Sequence, residues 1–126
     1  MSESIDTLNA DLSKQIESGL NDNGSWVRYS DGTQICWVRM SVTDQAINTA
    51  YNTGLFQGTR SWTYPMPFHI APAVTCSEFR WGNGASWGGI GNVPGVSSVM
   101  LRGFDNVPRA IGTTVTIAAI AVGRWK

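Results

Sequence analysis

The chain has 126 residues, and nine Lys and Arg balance nine Asp and Glu to a formal net charge of zero. That length is one domain, which buries roughly two-thirds of its unfolded surface and needs no metal or disulfide for a core, while the charge balance leaves no basic stripe for phosphates and excludes nucleic acid as the main partner. Charged residues are only 14% of the chain and Trp occurs six times, the composition of a rigid domain whose surface is partly covered by other chains.

The first element is a predicted helix over residues 4–18. Ile5, Leu8, Leu12 and Ile16 form one stripe at helical spacing. Ser2 or Ser4 caps its start, and Gly19 is a stop. About 15 residues is marginal for a lone helix in water, so the stripe packs either on its own domain or on copies of itself. Asn21-Asp22-Asn23-Gly24 breaks the helix, and from there the pattern alternates.

Strands are predicted at 26–29, 34–42, 60–64, 73–81, 96–104 and 113–122. Asp31-Gly32 turns the first pair into a hairpin. Residues 46–58 are ambiguous, with a turn at Asn52-Thr53-Gly54. Pro65, Pro67 and Pro72 place the following strand at an edge, because proline cannot donate to a central ladder. A glycine-rich loop occupies 82–95. The expected fold is all-β, a compact antiparallel sandwich of six or seven strands with a short N-terminal helix. No run of about 18 apolar residues is present for a membrane span, and the N-terminus lacks the basic start and apolar stretch of a secretory signal. Cys36 and Cys76 are read as two buried thiols rather than a disulfide.

Catalytic constellations are weak. Gly84-Ala85-Ser86-Trp87-Gly88 is a literal G-x-S-x-G, but Gly-Gly-Ile-Gly-Asn-Val-Pro follows where a nucleophile elbow needs a helix. The sole histidine, His69, precedes the serine and is read as structural. Glu78 and Asp105 are the one carboxylate pair worth naming for glycoside hydrolysis, which needs about 5–9.5 Å between them; the alternative is that each pairs with Arg80, Arg102 or Arg109. One His and two distant Cys make no transition-metal site, and no cofactor is expected.

What remains points to binding. Trp81 and Trp87 flank or occupy the glycine loop, and an indole face suits the C–H face of a sugar. Asn83, Ser86 and Asn92 offer adaptable polar contacts, and Arg80 and Asp105 at nearby strand ends complete the candidate glycan site. The bland alternative for Trp87 is that it folds back over the end of the sandwich. Trp26, Trp37 and Trp62 are read as core or interface residues, and Trp125 as tucked against a neighbour.

Three stretches, NGSWVRYSDGTQICW (23–37), SWTYPMPFHIAPAV (61–74) and the closing AIAVGRWK (119–126), together resemble the C-terminal tip domain of bacteriophage and prophage tail fibres. At fold level the chain is also similar to trimeric six-stranded lectins that bind N-acetylgalactosamine. The resemblance implies a homotrimeric β-sandwich, residues 23–126, that binds a receptor on the bacterial surface, lipopolysaccharide or another envelope glycan. It implies that residues 1–22 end a three-stranded stalk, with Ile5, Leu8, Leu12, Ile16 and Trp125 at the trimer interface. It places the domain at the fibre tip of a virion assembled in the host cytoplasm, without membrane insertion.

Overall fold

A computed structural model describes residues 14–126, which form nine strands and no helix. They are β1 (Gln15–Asn21), β2 (Gly24–Tyr29), β3 (Thr33–Val42), β4 (Thr49–Asn52), β5 (Leu55–Thr63), β6 (Ile70–Trp81), β7 (Trp87–Ile90), β8 (Ser98–Asp105) and β9 (Val115–Arg124). One sheet has five strands in the order β1-β2-β3-β9-β6, the other four in the order β4-β5-β8-β7. Every strand pairing is antiparallel. The expected all-β antiparallel fold is found, with more strands than the six or seven expected.

The N-terminal helix is corrected over residues 15–18, which belong to β1 and pair with β2. Ile16 lies on this edge strand, half exposed. Ile5, Leu8 and Leu12 lie outside the described residues. Gly19 is not a helix stop; a Cβ there would sit 2.5 Å from Cη2 of Trp26, so its absence lets the indole lie across β1. Asn21-Asp22-Asn23-Gly24 is a hairpin turn, closed by the Asn23 amide donating to Asn21 Oδ1 at 2.8 Å, with Gly24 at φ 128°. The boundary drawn between residues 22 and 23 therefore falls inside a hairpin.

Alternation explains the core. On β3 the even-numbered residues, Gln34 to Val42, face inward, and on β9 the odd-numbered ones, Val115 to Ala121, do. They meet Trp62, Val99 and Leu101 of the other sheet in one buried cluster. Trp62, Tyr64 and Phe68 continue it as a chain of edge-to-face rings, with centroids 5.2 and 5.1 Å apart. Trp62 Nε1 donates to Asn23 O at 2.8 Å, tying the β1–β2 turn to β5. Burial pushes the Tyr64 hydroxyl up to about 12, with the Cys36 thiol adding to the shift. Cys36 and Cys76 are free and buried, as read from the sequence, and burial raises both thiols. Phe79 is fully buried, and its ring occupies the space where a Cβ on Gly103 would stand, which brings β6 of one sheet directly against β8 of the other.

Candidate functional site

β6 ends the five-stranded sheet and β7 ends the four-stranded one, so the two edges come together at one corner of the sandwich. Gly88 permits the approach, because a Cβ there would lie 2.8 Å from Cys76 Sγ. Between residues 77–80 of β6 and residues 84–88 lies an open cleft of about 580 Å³. The glycine loop identified in the sequence thus forms one wall of the cleft, and the edge of β6 forms the other.

A network beneath the loop holds it in place. Ser86 Oγ donates to Asp105 Oδ2 at 2.6 Å, and Arg109 Nε donates to the same oxygen at 3.0 Å. The Val107 amide donates to Asp105 Oδ1 at 2.9 Å. Arg109 also lies 4.4 Å from the Trp81 ring, whose Nε1 donates to Ala110 O at 3.1 Å. Burial pushes the Asp105 carboxyl up, but the Ser86, Val107 and Arg109 hydrogen bonds and the Arg109 charge together hold it below the ordinary carboxylate range.

Asp105 has no exposed surface, and Ser86 and Trp81 are committed to this network. These three shape the site from below. Asn92 Oδ1 accepts from the Met100 amide at 2.9 Å and closes the loop between β7 and β8. Asn83 is exposed at the loop tip. Trp87 and Arg80 are the candidates that face solvent in the cleft. Trp87 is 47% exposed and does not fold back over the sandwich end; it stacks on Phe104, centroids 5.9 Å apart at 22°. Arg80 makes no ion pair with the described residues, whereas Glu78 in the same cleft is 3.4 Å from Arg39 Nε. Glu78 and Asp105 therefore sit in separate ion pairs, the outcome weighed against a carboxylate pair. Trp125 is held within its own chain, its Nε1 donating to Tyr29 O at 2.9 Å under Arg28. Among the described residues, no group of His, Cys, Asp and Glu is arranged to hold a metal ion.

Sequence reasoning missed Phe104, which supports Trp87, and reached Arg109 only as one of three possible ion-pair partners. Alternation in β8 puts Phe104 on the outer face, but its contact with Trp87 depends on the β7–β8 pairing, and β7 has only four residues.

No protein-family model matches the sequence, and no curated protein matches it. Solved structures do share the fold. An N-truncated R1-type pyocin tail fibre superposes with a TM-score of 0.57 at 12% identity, covering 97% of this chain and 94% of that one. An N-truncated R2-type pyocin tail fibre gives 0.56 at 13% identity, over 98% of this chain and 42% of that one. The C-terminal residues 323–691 of the P. aeruginosa R2 pyocin fibre give 0.54 at 14% identity, over 86% of this chain and 25% of that one. The chain thus spans about a quarter of the last of these, and the likeness is one of fold.

Proposed function

We propose that this domain is a non-enzymatic receptor-binding tip of a phage-type tail fibre, attaching its particle to a bacterial envelope glycan. The observation that carries the reading is a cleft whose loop is pinned from beneath and whose lining includes an exposed tryptophan, Trp87, and an exposed arginine, Arg80, that pairs with no carboxylate of the described residues. The fold shared with the C-terminal regions of pyocin tail fibres supports it. An indole face and a few polar groups hold a sugar at a Kd of about 1 mM, or about −4 kcal/mol. Several copies on one rigid fibre raise effective affinity by about 10²- to 10⁴-fold when their spacing fits.

Self-association as a homotrimer completes the proposal. The outer face of the five-stranded sheet exposes Leu20 at 77%, and Trp37, Ile120 and Val122 at 43, 41 and 43%. In register, Leu20, Ser25, Trp37, Ile120 and Thr75 form one row across all five strands. Such a band is a contact surface for copies of the same chain. Sedimentation of the full chain at micromolar concentration tests this, and a stable monomer refutes it.

The test of function is binding to host cells and to a glycan array. Trp87→Ala should abolish attachment with assembly intact, and undiminished attachment removes the cleft from the site. A purely structural trimerisation cap predicts stable trimers that bind no cell. A polysaccharide-degrading tip using Glu78 and Asp105 predicts release of reducing sugar that Glu78→Gln abolishes; the ion pairs of both carboxylates argue against it.

A further inference from the structure

The outer face of the four-stranded sheet carries a different arrangement. Along β8, Met100, Arg102 and Phe104 point away from the core, alternating with buried Leu101, Gly103 and Asp105. In register, Phe104 stands between Trp87 of β7 and Gln57 of β5, and Arg102 between Gly89 and Thr59. Tyr51, from the irregular end of β4, meets Phe104 edge to face at 5.3 Å. With Trp87 stacked on the other side of Phe104, the three rings make a shelf whose ends, Tyr51 and Trp87, are 52% and 47% exposed.

Arg102 lies over this shelf, its guanidinium carbon 5.6 Å from the Tyr51 centroid and 5.8 Å from that of Phe104. Nη2 donates to Gly91 O at 3.2 Å. Nε is shielded and finds no hydrogen-bond partner among the described residues, and no carboxylate among them pairs with the guanidinium. Oε1 of Gln57, in the adjoining row, is likewise shielded and without a partner among the described residues. A donor and an acceptor left unpaired by the described residues mark this face as short of polar partners; both atoms are covered, so a ligand meets Arg102 through the terminal nitrogens of its guanidinium. The floor beside Arg102 is open, because a Cβ on Gly89 would meet nothing within 4 Å.

We propose that this face is a second binding surface, for an acidic saccharide that stacks on Tyr51, Phe104 and Trp87 and places its carboxylate or phosphate on Arg102. Aromatic faces accept the C–H side of a sugar ring, and a guanidinium matches the two oxygens of a planar acid or a phosphate. A neutral sugar leaves the Arg102 charge unanswered, which is why the ligand is acidic. Trp87 belongs to both the cleft and the shelf. The inference extends the receptor-binding reading by naming a ligand class, and its test needs no cell.

Titration of the full chain with tri-galacturonic acid, its methyl ester and glucose 6-phosphate, followed by saturation-transfer NMR, tests it. Binding of either acid, with the methyl ester at least tenfold weaker, is expected; which acid binds identifies carboxylate or phosphate as the preferred group. Arg102→Lys keeps the charge but loses the fork, and should weaken binding at least tenfold. Gly89→Val fills the open floor and should abolish binding while the unfolding midpoint stays unchanged. Arg80→Gln, in the cleft, should leave acid binding intact. Failure of both acids to bind, equal binding of the ester, or loss in Arg80→Gln with retention in Gly89→Val each overturns the proposal. Cell attachment that depends on Trp87 without any acid binding overturns this inference alone and leaves the receptor-binding reading standing.

Discussion

Replacing Asp105 with Ala removes the centre of the network under the glycine loop. The carboxylate accepts three hydrogen bonds, from Ser86, Val107 and Arg109. At about 1.5–3 kcal/mol each for a charged acceptor, their sum is roughly 5–9 kcal/mol. That is an upper bound, because Arg109 keeps 20% of its side chain in solvent and a loosened loop lets water reach the freed groups. Breaking a buried pair by removing one partner costs about 3–5 kcal/mol, the loss expected here. Urea unfolding of Asp105→Ala, Arg109→Ala and the double variant measures it, with the double variant losing far less than the sum of the singles. A loss below about 1 kcal/mol in Asp105→Ala, or additivity in the cycle, refutes the network as the device that holds the loop.

The same carboxyl sets a pH dependence. Its folded pKa is depressed, so its stabilisation is complete above the unfolded value of about 3.9 and is lost as pH falls through the folded pKa. The unfolding midpoint should drop on acidification below about pH 4, and Asp105→Asn should flatten that drop; part of the slope remains with Asp31, which the Thr33 amide and hydroxyl also hold low. Gly103→Ala drives a methyl into the buried Phe79 ring and should cost about 1–3 kcal/mol in urea unfolding; a neutral change contradicts the packing of β6 on β8. Cys36 and Cys76 should react with a thiol reagent only in denaturant, and fast labelling of either in native protein contradicts their burial.

The legible parts of the fold are those where one strand face is buried and the other is wet. Residues 34–42 alternate because Cys36 and Val38 enter the core while Trp37 and Arg39 do not, and that contrast is written in the residue types. β1 and β4 carry no such contrast, since nearly every residue of both is exposed at a sheet edge. With no period of two to read at 15–18, the spacing from Ile5 to Ile16 suggested a helix instead. β7 was hidden for another reason, as half of its four residues are glycine. For the candidate site, residue type and position beside the loop were enough to name Trp87 and Arg80 as candidates. The inward aim of Asp105 was available from its phase with Val99, Leu101 and Gly103, whereas its bond to Ser86 spans 19 residues and required the folded sheets.

The fixing of residues 82–88 from below has an evolutionary consequence. Ser86, Asp105, Arg109 and Trp81 keep the loop's path while Asn83, Ala85 and Trp87 point outward. Outward positions that carry no structural duty can drift under selection without unfolding the domain. On the proposed receptor-binding reading, a lineage that meets a changed host coat can then acquire new specificity one substitution at a time, each intermediate still folded.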